Sequence, residues 1–291
     1  MRATVVLNAA AGSKEQPERV QAALEAAGVR TEVRLVEGAG IAAAAREAAG
    51  SAADVVVLGG GDGTMNAGAS ALRDGAKPMG VLPLGTLNHF ARDLGIPLDL
   101  EEAARVIAAG QVRQVDVGEA NDRIFLNNSS IGLYPSAVQD REARRRREGK
   151  GKWRAMWEAS LATLRRFPVN RVTLRLPESA FRVTTPLVFI GNNRYEMSLF
   201  ALGKRERLDR GELWLYVARD TGRFGILRLA ARALAGRLDQ GRDFLATALP
   251  GVVIEDRRQT VAVALDGEVA RLSSPVRYRI RPGALKVLAP S

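Results

Sequence analysis

Leu58-Gly59-Gly60-Gly61-Asp62-Gly63-Thr64-Met65-Asn66 is the stretch of this chain whose residue types are best suited to holding a phosphate. Closely spaced glycines let the main chain turn tightly and bring its N–H groups close to an anion. Asp62 sets a carboxylate among those donors. An anion site has no need of a negative side chain, so the simplest reason for one is a divalent cation bridging it to phosphate oxygens. The Thr64 hydroxyl suits the same phosphates or the cap of a helix. No Gly-Lys-Ser/Thr follows, which excludes a P-loop, and the glycines miss the Gly-x-Gly-x-x-Gly register of a dinucleotide fingerprint. The same residues would also serve as a plain strand-to-helix turn capped by Asp62 and Thr64, and this turn by itself does not choose.

A second stretch tips the balance. Pro78 to Leu94 repeats the order strand, glycine, Thr, Asn, helix, with Gly85, Thr86 and Asn88 at the turn. Two such turns on adjacent parallel strands face one crevice at the carboxyl ends of a sheet, where open α/β sheets bind ligands. His89 reads as a packing or surface residue rather than a catalyst.

Gly60-Gly61-Asp62-Gly63-Thr64, then Pro83-Leu84-Gly85-Thr86-Leu87-Asn88-His89-Phe90-Ala91, then Leu265-Asp266-Gly267-Glu268 occur in that order across nearly the whole chain. In this the sequence resembles the diacylglycerol-kinase catalytic-domain family of lipid kinases, which includes sphingosine kinases and soluble bacterial lipid kinases. The NAD kinases and phosphofructokinases share the first turn but lack the combination. The resemblance implies an N-terminal α/β domain of the NAD-kinase/phosphofructokinase type with a parallel sheet, then a β-sandwich-like domain. It implies ATP and Mg²⁺ as cofactors and transfer of the γ-phosphate to a hydroxyl of a membrane lipid such as diacylglycerol. Nucleotide contacts would fall to Asn8, Gly60, Gly61, Asp62, Gly63, Thr64, Asn66, Gly85, Thr86 and Asn88. Asp62 and Asp116 would belong to an aspartate and water network at the magnesium, and Asp266 would be the general base, presented by a turn of the second domain. On residue types alone, Asp266-Gly267 is a hairpin turn signal and Asp116 an exposed strand carboxylate.

The chain departs from the family's pattern at four places. Ala9 stands where a proline is usual in the first turn, Val36 where a Thr commonly meets a phosphate, and Ala67 where Glu is frequent. Arg210, in Leu208-Asp209-Arg210-Gly211-Glu212-Leu213, replaces an aspartate that in relatives helps hold a structural magnesium. A guanidinium has no lone pair to offer a cation, so the structural ion is expected to be absent unless Asp209 replaces the lost ligand.

The elements that must carry these residues follow from the pattern. Strands Ala3 to Leu7, Thr31 to Val36 and Ala53 to Leu58 alternate with helices at Gln16 to Ala27, Ile41 to Ala49 and Met65 to Arg73, and a helix at Leu100 to Ala109 closes at Gly110, as a parallel sheet requires. A hairpin turning at Asn121-Asp122 opens the second part, with the boundary near Gly118. The expected division is therefore 1–118, a nucleotide-binding domain, and 119–291, a mostly-β domain for the lipid. Within the latter, Arg171 to Leu176, Phe181 to Gly191, Glu212 to Ala218, Val252 to Glu255, Thr260 to Leu265 and Val276 to Ile280 read as strands and Phe224 to Leu238 as a helix. Residues 135–166 read as a basic helical insertion. Between Arg141 and Arg154, eight basic residues face two acidic ones beside Trp153 and Trp157, which suits contact with an anionic membrane surface through Arg141 to Trp157.

Composition sets the outer limits. With no cysteine and one histidine, disulfides, thiol catalysis and histidine-rich metal sites are excluded, so the chemistry rests on carboxylates and backbone. A net charge of +11 fits an anionic partner. No run approaches the length of a membrane span and Met1 to Leu7 is strand-like, so a cytoplasmic protein, peripheral at the inner membrane face, is expected. Nucleic acid is not expected as a partner, because few aromatics accompany the arginines, and a homodimer is compatible with the sequence. Two other readings stay open: an NAD-kinase-like enzyme with a soluble acceptor, and a binding protein for anionic lipid or nucleotide with weakened catalysis.

Overall fold

The structure, a computed structural model, describes residues 1–10, 17–132, 170–195, 205, 207–219, 232 and 243–290. It divides into two compact units. The first comprises Met1–Val117, Glu206–Gly211 and Arg281–Ser291, and the second Gly118–Arg205 and Glu212–Ile280. Beyond the boundary near Gly118, then, the chain contributes to the first unit twice more.

In the first unit, β1 (Arg2–Asn8), α1 (Pro17–Ala26), β2 (Arg30–Val36), α2 (Ile41–Gly50), β3 (Val55–Gly60), α3 (Asp62–Leu72), β4 (Met79–Pro83), α4 (His89–Asp93), α5 (Leu100–Ala109) and β5 (Val112–Ala120) follow in order. β2, β1, β3 and β4 are parallel neighbours in that order, and Val287 of the C-terminal strand lies parallel opposite Met79. The run Val55-Val56-Val57-Leu58 is fully buried, as expected of a parallel strand covered on both faces. Each such side chain stabilises the fold by about 1.5–3 kcal/mol relative to exposure. α5 starts where the Asp99 carboxylate accepts the Glu102 N–H and ends at Gly110, in the left-handed region. α3 begins at Asp62, three residues before the expected start. Gly61, extended at φ −91° and ψ −171°, is its N-cap, so Asp62, Gly63 and Thr64 form its first turn rather than a loop before it.

In the second unit, β6 (Arg123–Phe125), β7 (Asn128–Gly132), β8 (Asn170–Arg175), β9 (Ala180–Thr185), β10 (Leu187–Asn192), β11 (Leu213–Ala218), β12 (Phe244–Leu249), β13 (Gly251–Asp256), β14 (Thr260–Leu265), β15 (Glu268–Ser273) and the start of β16 (Val276–Leu288), whose residues from Arg281 on belong to the first unit, are described. One antiparallel sheet runs β12-β11-β10-β7-β14-β15, and β16, β13, β8 and β9 pair antiparallel in another. Ile131, Ile190, Leu215 and Val263 from the first sheet share a core with Val172, Leu174, Ile254 and Val276 from the second, which is the expected sandwich. Inside it Tyr278, 3% exposed, meets the Ser129 hydroxyl at 3.0 Å. Burial pushes this phenol well above its ordinary range, and Tyr216 is raised for the same reason.

The strand expected over Phe181 to Gly191 is two strands in different sheets. Pro186, which has no N–H to donate, parts them, and the Thr185 hydroxyl accepts the Leu187 N–H at the crossing. β12 and β15 were not foreseen, because Phe244–Leu249 lacks alternation and Glu268–Ser273 carries charge. β16 runs on to Leu288, past the expected end at Ile280. The basic insertion at 135–166 and the helix at Phe224 to Leu238 lie outside the described residues. Among the described residues no helix is long and apolar enough to cross a membrane.

Candidate functional site

The carboxyl ends of β1, β3 and β4 bring the first set of predicted residues together. The first helical bond of α3 runs from the Met65 N–H to the Gly61 carbonyl at 3.1 Å. The N–H groups of Asp62, Gly63 and Thr64 therefore have no acceptor within the helix and point out of its positive end. The half-buried Asp62 carboxylate reaches the second turn, where it accepts the His89 N–H at 3.2 Å and the Phe90 N–H at 3.0 Å. Asn88, at φ 52°, ties that turn from within. Its Oδ1 accepts the Gly85 N–H at 3.0 Å, and its Nδ2 donates to the carbonyls of Pro83 at 3.0 Å and Gly85 at 2.8 Å. The Leu84 N–H donates to the Gly60 carbonyl at 3.1 Å, so the two turns are joined by main chain as well.

They touch where both lack side chains. A Cβ on Gly85 would lie 2.4 Å from the Gly61 Cα, a distance no real Cβ contact shows. A Cβ on Gly60 would meet the Thr64 Oγ1 at 2.3 Å, so that glycine makes room for the buried threonine above it. Asn8, at the end of β1, donates from Nδ2 to Thr64 Oγ1 at 2.9 Å and accepts the Ala10 N–H at 3.0 Å. Asn8, Gly60, Gly61, Asp62, Thr64, Gly85 and Asn88 thus form one connected patch. Asn66 is one helical turn beyond Asp62 on α3, and Gly63 and Thr86 are exposed beside them.

What this patch offers is a set of unshared main-chain donors and one carboxylate. Each Asp62 oxygen accepts one main-chain N–H bond and a carboxylate has about four lone-pair directions, so room remains for a cation. Among the described residues no group of three or more His, Cys, Asp or Glu side chains could hold a metal ion. A magnesium ion brought in on phosphate oxygens would need no more from the protein than a single carboxylate such as Asp62.

Asp116 has a different setting. It is 2% exposed, not the exposed strand carboxylate its residue type suggested. Its Oδ2 accepts the Gly211 N–H at 2.7 Å and its Oδ1 the Gly283 N–H at 2.9 Å, while its own N–H donates to the Leu208 carbonyl at 2.7 Å. It fastens two later stretches of chain to β5. Asp209 is gripped by the Arg207 guanidinium at 2.8 and 2.9 Å, which holds its carboxyl below the usual carboxylate range. Asp209 is thus already paired with a guanidinium, and a cation held there would compete with Arg207 for its charge.

Asp266 belongs to the second unit. Asp266 and Gly267, at φ 48° and 90°, form the two-residue turn from β14 to β15, closed by the pairing of Leu265 with Glu268. The hairpin reading of this dipeptide therefore holds, and it does not exclude another role. The Asp266 carboxylate accepts the N–H groups of Leu126 at 2.7 Å, Asn127 at 2.8 Å and Asn128 at 3.0 Å. Sequence reasoning missed the residues behind it: Arg205, Asn127, Asn192 and Asn193 are all buried. The signal available was polar asparagine pairs at the ends of apolar strands, where a buried amide must find partners.

Comparison with known proteins supports the reading of the first unit. Residues 2–120 match the diacylglycerol kinase catalytic domain. That domain contains both glycine turns and Asp116 and ends before Asp266. A diacylglycerol kinase of Bacillus subtilis (strain 168) is 38% identical over 146 residues, 48% of this chain and 48% of that protein. The alignment thus spans about half the length of this relative. A probable lipid kinase YegS-like of Chromohalobacter salexigens is 29% identical over 98% of this chain and 92% of its own. A solved diacylglycerol kinase structure from Bacillus anthracis str. Sterne superposes with a TM-score of 0.71 at 21% identity, covering 99% of this chain and 97% of that one. A second solved structure from the same organism gives a TM-score of 0.78 at 23% identity, covering 99% of this chain and 95% of that one. At these identities the structural likeness speaks for the fold, an α/β unit with a parallel sheet and an antiparallel β unit.

Proposed function

We propose that the protein is an ATP-dependent lipid kinase that transfers the γ-phosphate to a hydroxyl of a membrane lipid such as diacylglycerol. The observation that carries the reading is the pair of glycine turns fastened by Asp62, which leaves the α3 amides and one carboxylate to meet a metal-bound polyphosphate. Phosphoryl transfer to an alcohol needs the triphosphate held, its charge neutralised and the hydroxyl oriented toward a base. The amides of residues 62–64, with Gly85, Thr86 and Asn66, hold the phosphates, and Asn8 and Asn88 keep the turns in shape. The chemistry Mg²⁺ would supply beside Asp62 is neutralisation of phosphate charge. Asp266 accepts the proton of the lipid hydroxyl, its carboxylate aimed by three main-chain N–H bonds. Asp116 acts as a fastening for β5 and for Gly211 and Gly283. The names of the relatives, diacylglycerol kinase and lipid kinase, favour a lipid acceptor over a soluble one. On this reading the protein works at the inner membrane face, with Arg141 to Trp157 as the contact.

The test is transfer of labelled γ-phosphate from ATP with Mg²⁺ to a panel of hydroxyl-bearing lipids in mixed micelles. At least one lipid is expected to become labelled. Nucleotide binding with no lipid labelled would favour a binding protein, and labelling of a soluble acceptor alone would favour an NAD-kinase-like enzyme.

A further inference from the structure

The turn that cradles Asp266 is gripped on its other side by a buried cation. Arg205 is 2% exposed. Its Nη1 donates to the carbonyls of Leu126 at 2.7 Å and Asn192 at 3.1 Å, and its Nη2 to Asn127 Oδ1 at 2.7 Å. Its guanidinium carbon lies 5.4 Å from the centre of the Tyr195 ring. Burying a guanidinium is costly unless its donors find acceptors, and among the described residues Leu126, Asn127 and Asn192 supply three of them.

The Leu126 carbonyl and the Asn127 N–H belong to one peptide group. The carbonyl accepts from Arg205, and the N–H donates to Asp266 Oδ1 at 2.8 Å. The connection runs from the guanidinium N–H to the carbonyl, through the amide, and from the amide N–H to the carboxylate. A cation at the carbonyl end polarises the amide and strengthens its N–H as a donor. Asn192 reinforces the same link: its Nδ2 donates to the Leu126 carbonyl at 2.9 Å, and its main-chain N–H donates to the Asn127 carbonyl at 2.9 Å. An apolar side chain could fill the volume of Arg205 but could not act on that peptide.

We propose that Arg205 is a positioning residue for Asp266, acting through the Leu126–Asn127 peptide, with Asn192 as its auxiliary. The proposal rests on the reading of Asp266 as the base. Without the cation the turn loses one of its anchors and the carboxylate a polarised donor, so Asp266 is held less firmly in the orientation that meets the lipid hydroxyl.

Full-length Arg205→Met and Arg205→Lys variants, alone and in the Asp266→Asn background, are assayed for kcat and for KM toward ATP and lipid. Arg205→Met is expected to lower kcat about 10- to 100-fold, the upper end being what a small misplacement of a reacting group costs, with both KM values within about twofold. Arg205→Lys, which keeps a donor for the Leu126 carbonyl, should recover part of that loss. In the Asp266→Asn background the Arg205 substitutions should change kcat by less than about twofold, since the group they orient is gone. If Arg205→Met does not fold by near-UV circular dichroism, Arg205→Lys carries the same comparison. Parental kcat in a folded Arg205 variant would overturn the proposal, as would an equal loss with and without the Asp266 carboxylate. Should Asp266→Asn itself keep full kcat, the reading of the base fails and this proposal with it. A collapse of Asp266→Asn with Arg205 variants unimpaired removes the positioning role alone.

Discussion

Each of the three aspartates picked out by residue type accepts at least two main-chain N–H bonds. Asp62 accepts from His89 and Phe90, Asp116 from Gly211 and Gly283, and Asp266 from Leu126, Asn127 and Asn128. A carboxylate held this way cannot swing between rotamers, and that pre-organisation matters for a group that must meet a metal or a proton at a fixed place. The same scale gives a check on the core of the second unit. Tyr278 and Tyr216 are both raised by burial, so the fold favours their neutral forms. The stability this implies is intact below the unfolded value of about 10 and is lost as pH rises through the folded value. In an alkaline spectrophotometric titration, two of the four tyrosines should ionise only together with loss of near-UV circular dichroism. Ionisation of all four below about pH 11 in a protein that keeps its near-UV signal would contradict the packing described for Tyr278.

Among the elements, the two glycine turns are not interchangeable. A Cβ on Gly85 would press 2.4 Å from the Gly61 Cα and 2.8 Å from Asn88 Oδ1, whereas one on Gly61 would rest 3.4 Å from the Gly85 Cα. Gly85→Ala must drive the turns apart, and overpacking of this kind costs about 1–3 kcal/mol. It should therefore weaken ATP binding by roughly tenfold or more. Gly61→Ala, in an extended backbone any residue adopts, should weaken it less than about threefold. Equilibrium titration with ATP and Mg²⁺ measures both, and equal effects would mean that the turns do not meet as described. The glycines, Asp62 and Asn88 were legible in the sequence because their types answer local needs of a turn. What escaped was set by distant partners. The capping of α4 by Asp62 joins residues 27 and 28 apart, and the start of α3 depended on the extended Gly61. The split of the expected strand at Pro186 came from a change of sheet, which alternation within a strand does not record.

In the molecule as a whole, the proposed nucleotide patch and the proposed base belong to different units, and the sequence order hides part of that division. Gly211 and Gly283 are far from β5 in the chain yet both bind Asp116, within the first unit. Arg205, the last residue before the chain returns there, belongs to the second unit with Asp266. No local pattern announces either attachment, because each is made by backbone groups that every residue carries. The division also makes the account separable by experiment: changes at Asp62 should act on the nucleotide, and changes at Asp266 on the transfer step. The most direct measurement compares Asp62→Asn and Asp266→Asn for equilibrium binding of ATP with Mg²⁺ and for kcat with lipid in mixed micelles. Asp62→Asn should weaken nucleotide binding by about tenfold or more, a loss of about 1.4 kcal/mol, while Asp266→Asn should bind within about twofold of the parent and lose about 10²- to 10⁴-fold in kcat, the range for a general base. Full transfer by Asp266→Asn, or parental nucleotide binding and transfer by Asp62→Asn, would contradict it.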